Sequence, residues 1–297
     1  GFTSMNVNWA SMENKGVEVS LSTRNITTKN FSWYTVFNFA YNGNKVLHEN
    51  IPEQQTTPGR EGYPVGAIFA LKTAGLDDKG NMMFYNPKGE KVSLKELYRL
   101  VDEWGIGIAS SDVTPAEERS FYSYIGSQDA PYTGGFINTF SYKNWELSAN
   151  FSLTFGGYVR TQPTYDIIQP DYGKNYNRDI LNRWTPENPN ATLPALVTST
   201  ANPEEYSWYD SKTIWRDLDI WVKKLNYVRL QNLRLGYRVP ELLTKRLGMN
   251  SATVAVEGRN LFVFGSGYNN YMDPESMYNP FATPVPKSVT LSLSLNF

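Results

Sequence analysis

The stretch Lys287-Ser-Val-Thr-Leu-Ser-Leu-Ser-Leu-Asn-Phe297 decides the fold class. Val289, Leu291, Leu293, Leu295 and Phe297 fall on one parity; Ser288, Thr290, Ser292, Ser294 and Asn296 fall on the other. Successive side chains of a β-strand point to opposite faces, so this alternation predicts a strand with one apolar and one polar face. Its length of about ten residues matches a tilted strand crossing a bilayer. The polar face is small and uncharged, as suits a wall facing water inside a barrel.

Working outward, the same period recurs. Trp145, Leu147, Ala149, Phe151, Leu153 and Phe155 alternate with Glu146, Ser148, Asn150, Ser152 and Thr154. Phe31, Trp33, Phe37 and Phe39 alternate with Ser32, Tyr34, Asn38 and Ala40. Val17, Val19 and Leu21 alternate with Glu18, Ser20 and Ser22, and Met5, Val7 and Trp9 with Ser4, Asn6 and Asn8. Phe136, Asn138, Phe140 and Tyr142 oppose Ile137, Thr139 and Ser141 more weakly. Ala252, Val254 and Val256 begin a strand running to about Phe264. One further strand, about Leu225 to Val239, breaks parity: Arg229 and Gln231 share it with Leu233, Leu235 and Tyr237. A bulge near Asn232 resolves the conflict by returning Val228 and Leu230 to the apolar face. The count is about eight strands.

The connections alternate in length. Thr28-Lys29-Asn30 and Lys143-Asn144 are tight turns, and Pro240 to Asn250 holds about one helical turn between Pro240 and Gly248. Between them lie excursions over roughly 45–131, 161–222 and 265–286. Short turns at one end and long loops at the other are the asymmetry of outer-membrane barrels. It places Phe297 at the periplasmic rim. The loops carry folding signals of their own. Ser93-Leu-Lys-Glu96 is a capping-box pattern before Leu97, Tyr98, Val101 and Trp104 at helical spacing, and Thr114-Pro115-Ala116-Glu117 is another helix start.

Composition sets outer limits. The chain has 297 residues, a formal net charge of -1, no cysteine and one histidine, His48. No broad basic field is available for nucleic acid, and disulfides, thiolate metal sites and multi-histidine metal sites are excluded. Aromatic residues make up 14% of the chain while mean hydropathy is only -0.46. That combination suits a transmembrane barrel, whose alternating strands escape a hydropathy scan; a soluble β-sandwich has it too. Gly1-Phe2-Thr3-Ser4 has neither a basic region nor an apolar core of a leader peptide, so either processing has removed a leader or, as is expected, the chain is a piece of a longer protein.

Catalytic patterns are weak. His48-Glu49 lacks zinc-protease spacing, and no phosphate-cradling loop or nucleophile elbow occurs. Asp77-Asp78 and Asp273-Pro274-Glu275 offer paired carboxylates, which a glycosidase could use but which turns also favour. No enzyme activity, cofactor or metal is expected.

An ordered series of motifs resembles the SusC/RagA family of TonB-dependent outer-membrane transporters. It runs through Asn14-Lys15-Gly16-Val17-Glu18, Phe31-Ser-Trp33, Tyr63-Pro-Val-Gly-Ala-Ile-Phe69, Ala74-Gly75-Leu76-Asp77 with Gly80, Tyr124-Ile-Gly-Ser127 with Pro131, and Gly134-Gly135-Phe136. It continues through Leu181-Asn-Arg-Trp184, Val228-Arg-Leu, Asn232-Leu-Arg-Leu-Gly-Tyr237, Gly258-Arg-Asn260-Leu261, Asp273-Pro-Glu275 and the final aromatic strand. The resemblance implies an all-β antiparallel transmembrane barrel segment, residues 1–297 being the C-terminal portion of a larger, 22-stranded barrel with long extracellular loops containing short helices. The plug, the TonB box and the early strands would lie outside this sequence. It also implies localisation in the bacterial outer membrane and import of oligosaccharides or peptides. The partners it implies are a SusD-like surface lipoprotein, the TonB complex acting through the missing N-terminal part, the remainder of the barrel, and membrane lipid. Phe297 resembles the signal read by the barrel-assembly machinery.

On this reading Glu18, Arg24, Glu146, Asn150, Glu257 and Arg259 face the lumen and line the passage, or else pair with one another and brace the wall. Trp184, Trp208 and Trp215 are candidates for the lid or substrate surface, the alternative being packing of the loops. The rival readings are a secreted or surface carbohydrate-binding β-sandwich, a small autonomous outer-membrane barrel, and, more remotely, a glycosidase using Asp273 and Glu275.

Overall fold

The computed structural model describes residues 10–102, 109–168, 175–265, 273–277, 279 and 282–297. The chain divides into two compact units. One comprises Glu13–Asn44, Ser127–Val159 and Lys224–Phe297; the other comprises Gly1–Met12, Lys45–Gly126 and Arg160–Lys223.

The first unit is a sheet. Its strands are β1 (Ser11–Thr27), β2 (Phe31–His48), β3 (Tyr132–Tyr142), β4 (Trp145–Arg160), β5 (Val222–Arg238), β6 (Ser251–Phe264) and β7 (Ser288–Asn296). These seven strands are hydrogen-bonded in sequence order, β1 to β7, as an antiparallel meander. An eighth strand expected over Met5 to Trp9 lies outside the described residues. Most strands are longer than the alternation suggested: β1, β2, β4 and β5 run to 16–18 residues each. A bilayer crossing needs only about 9–11. The alternating sequence marks the crossing. Beyond it, polar residues such as Asn42 and Asn44 of β2 continue the ladder, because backbone pairing is indifferent to side-chain polarity.

Register sorts the side chains onto faces, since directly opposed residues share a face. Trp33 opposes Phe140, which opposes Leu147; Phe37 opposes Phe136, which opposes Phe151. Trp33 and Phe140 stack at 5.7 Å, and Phe136 and Phe151 at 4.6 Å. Val254 and Val256 oppose Leu293 and Leu291 on the same apolar face. This face is solvent-exposed in the chain by itself: Val289 and Leu291 are each 73% exposed. A sandwich would bury such a face against a second sheet; an outer barrel wall presents it outward. Its polar interruptions are bonded internally. Asn138 Oδ1 accepts from Trp33 Nε1 (2.9 Å) and Thr35 Oγ1 (2.7 Å), and Thr35 accepts from Asn25 (2.7 Å).

The expected bulge is present. Pairing of β5 with β6 shifts between Leu230 and Asn232. Leu230 opposes Phe262 and Leu233 opposes Gly258, so Val228, Leu230, Leu233 and Leu235 all reach the apolar face. The turn before β6 holds a short helix (Glu241–Arg246), with Pro240 at its N-cap and Gly248 at φ 72° after its end.

The second unit is a folded body with an ordinary apolar core. Leu71, Phe84, Tyr98 and Leu218 are each 0% exposed within it, with Trp215 and Trp221 edge to face at 5.2 Å. Both capping boxes form: Ser93 with Glu96 on helix Leu94–Tyr98, and Thr114 with Glu117 on helix Pro115–Phe121, which starts with proline. The first helix is shorter than its spacing predicted. Arg99 takes a left-handed conformation at φ 50°, ending the helix before Val101, which enters a short strand. Trp104 lies outside the described residues.

Candidate functional site

The polar face of the sheet is the candidate site, and the bulge organises it. Before the shift, Leu225, Tyr227, Arg229 and Gln231 point to this face; after it, Asn232, Arg234, Gly236 and Arg238 do. The bond from Gln231 Nε2 to Ser152 Oγ (2.9 Å) and the ion pair from Arg234 Nη1 to Glu146 Oε1 (3.0 Å) confirm the flip. Ser152 and Glu146 share one parity of β4, whereas Gln231 and Arg234 do not share one of β5.

A ladder of alternating charge therefore crosses three strands. Glu146 pairs with Arg234; Arg234 stands opposite Glu257; Glu257 Oε1 accepts from Arg259 Nε (2.6 Å) and from Asn232 Nδ2 (2.7 Å). Of the residues singled out in the sequence, Glu146, Glu257 and Arg259 are thus brought together, as braces of the wall. Asn150 shares their face, opposite Ile137. Glu18 shares a hollow with Ser20, Asn38 and Thr133 on that face, at the other side of the sheet. Arg24 lies between Thr23 and Asn25, whose hydrogen bonds turn to the apolar face, so its own side chain takes the polar one. Neither Glu18 nor Arg24 has an ion pair among the described residues.

A second cluster on this face was missed as a site. Arg229, only 1% exposed, donates from Nε to Glu275 Oε1 (2.7 Å) and from Nη2 to Asp273 Oδ1. The parity conflict at Arg229 was its sequence signal: a charge on an apolar parity demands a bulge and a partner. Asp273 Oδ1 also accepts from the Glu275 amide (3.0 Å). The two carboxylates that a glycosidase could have used are thus held by one guanidinium, where a hydrolytic pair needs one protonated member.

The tryptophans lie in the other unit. Trp215 is a correction: it is 5% exposed and donates Nε1 to the Tyr165 carbonyl (2.7 Å), so it is a core residue there, not a surface one. An indole is mostly apolar, so a core takes it readily where its N–H has an acceptor, as that of Trp215 does. Trp208 packs on that core against Tyr98 at 5.4 Å. Trp184 is half-buried on Gly80, at φ 81°, where a Cβ would stand 2.3 Å from the indole. The two motif residues thus meet as a ring lying on a bare backbone.

Titration in the second unit follows its contacts. The Thr114 amide and Arg99 hold the exposed Glu117 carboxyl down to about 2. Burial pushes Glu205 and Glu118 above the ordinary carboxylate range. Among the described residues no group of three or more His, Asp or Glu could hold a metal ion.

No family model matches the chain. Three curated proteins of Formosa agariphila do: TonB-dependent receptor P3, 28% identical over 94% of this chain; P26, 27% over its full length; and P39, 26% over 91%. The chain is similar to these TonB-dependent receptors. It spans 26–30% of the length of those receptors. Among solved structures it is similar to the RagAB peptide transporter, with TM-score 0.72 and 24% identity over 100% of this chain and 30% of that one. It is also similar to the RagAB peptide importer in its "closed-closed" state, with TM-score 0.71 and 23% identity over 98% of this chain and 30% of that one. These likenesses establish the fold as a segment of an antiparallel β-barrel, in keeping with the resemblance that the motifs carry.

Proposed function

We propose that the chain is the C-terminal barrel portion of an outer-membrane, TonB-dependent importer of oligosaccharides or peptides, working with a SusD-like surface lipoprotein. The observation that carries this reading is the two-faced sheet. One face is apolar and exposed, fit for lipid; the other is braced by the Glu146–Arg234 and Glu257–Arg259 pairs, fit for a water-filled passage. The likeness to a peptide importer along the whole chain supports it further.

The mechanism derived for these residues contains no bond-making step. The paired charges hold the wall rigid, and Glu18, Arg24 and Asn150 offer polar contact to passing solute. β1 and β7 have one sheet neighbour each among the described residues. Unpaired edges do not persist in hydrocarbon, so on this reading further strands pair with both. A small autonomous barrel of about eight strands would be filled by its own side chains.

The test uses the full-length receptor in its native outer membrane. Uptake of labelled oligosaccharides and peptides is measured with and without the receptor, and with and without a proton uncoupler. The expected result is receptor-dependent, uncoupler-sensitive uptake of one class, and co-purification of a surface lipoprotein. Uptake indifferent to both receptor and uncoupler contradicts the proposal.

A further inference from the structure

Arg229 and its partners do more than satisfy a buried charge. The segment Asp273–Met277 belongs to the connection between β6 and β7, which the sequence reads as an extracellular loop. In the structure it is fastened to the polar face of the sheet at two points. The first is ionic: the fork of Arg229 engages Asp273 and Glu275, and Gln231 Nε2 adds a longer contact to Glu275 (3.4 Å). The second is apolar: Met277, 3% exposed, packs with Val159, Leu225, Tyr227 and Val263. Between them Ser276 Oγ and the Ser276 amide bond the Asp273 carbonyl (3.1 and 2.9 Å), closing a turn. A guanidinium binding two carboxylates fixes both position and orientation. A buried ion pair is seldom the most stable filling for such a site, so its presence points to placement of the segment.

We propose that Asp273–Met277 is a fixed constriction of the passage, latched to the barrel wall by Arg229. A segment held on the polar face of a barrel strand occupies lumen cross-section. Arg229 is then a positioning residue whose effect is on the size of the solute admitted. The inference rests on the import reading, because it needs the polar face to enclose a passage.

The experiment uses the full-length receptor in its outer membrane, with Met277→Cys as reporter, the 297 residues having no cysteine of their own. The latch is broken by Arg229→Met, or by Asp273→Asn with Glu275→Gln, which keeps the shape. Labelling by an externally added maleimide and uptake of peptides and oligosaccharides graded in length are read on heat-modifiable, assembled protein. Where Arg229→Met fails to assemble, Glu275→Gln, which removes one arm, carries the same readouts. The expected result is labelling at least roughly tenfold faster as the segment opens locally, together with acceptance of longer solutes than the parent takes. Unchanged labelling overturns the latch. Faster labelling with an unchanged length limit overturns the constriction. Absence of uptake in the parent overturns the import reading, and the constriction with it, while the labelling still reads the attachment of the segment.

Discussion

The two units of this chain solve burial in opposite ways. In the sheet, Leu291 and Val289 are each 73% exposed while Arg229 is 1% exposed. In the unit built around residues 45–126 and 160–223, Leu71, Phe84 and Leu218 are each 0% exposed, and among the described residues no charged side chain there is fully buried. Ordinary water solubility dictates the second arrangement. The first fits a barrel wall whose apolar face meets lipid, where leaving leucine outside costs nothing and burying charges on the other face is a matter of geometry. One polypeptide thus reads two solvents, and its sequence changes grammar between them: period two in the sheet, capping boxes and mixed aromatic cores in the loops.

The contrast can be broken from either side. The largest effect is expected for Phe84→Ala, which empties a sealed core and should cost about 3–5 kcal/mol. Hydrogen exchange in the second unit should rise while barrel assembly, followed by heat-modifiable migration, stays intact. Next is Leu291→Arg, which places a cation on the apolar face at a cost of about 2–4 kcal/mol in a bilayer. Equilibrium folding into lipid vesicles measures it, and the substitution should leave the second unit untouched.

Glu205 sharpens the comparison through pH. Burial raises its carboxyl in the folded state. Its protonation therefore favours the fold, fully so below the unfolded carboxylate range, and that contribution is lost as pH rises through the raised folded value. Glu205→Gln should accordingly slow hydrogen exchange of helix Pro203–Ser211 at neutral pH and have no such effect in acid. The smallest effect concerns Lys143, whose φ of 53° in the two-residue turn between β3 and β4 is unfavourable for a side chain. Lys143→Gly relieves about 1–2 kcal/mol of strain and gives back part of it in unfolded-state entropy. A net gain under about 1 kcal/mol should appear in vesicle refolding.

Much of the sheet was legible because the two faces of a barrel wall impose a period of two on most strands. The clean run from Val289 to Phe297, the tight turn at Lys143-Asn144 and the bulge at Asn232 all follow from parity alone. Strand ends were not legible, since Asn42 and Asn44 pair in a ladder without alternation. The helix after Ser93 was over-extended because Val101 and Trp104 kept helical spacing past Arg99, where a left-handed residue stops it. The site was half legible. Glu146, Glu257 and Arg259 declared themselves by parity, but that Arg234 stands between Glu146 and Glu257 needed the strand register, and the link from Arg229 to Asp273 and Glu275 spans more than forty residues of chain. Trp215 misled because a loop rich in tryptophan reads equally well as a binding surface and as a core.

The most direct test is of the face assignment of β7. In the full-length receptor reconstituted in lipid, single spin labels are placed at each position from Val289 to Leu295. Collision with oxygen, which concentrates in the bilayer, is compared with collision with a water-soluble nickel chelate. The account predicts a period of two, with Val289, Leu291, Leu293 and Leu295 favouring oxygen and Thr290, Ser292 and Ser294 favouring the chelate. Equal access along the strand, or chelate access at the leucines, would contradict it.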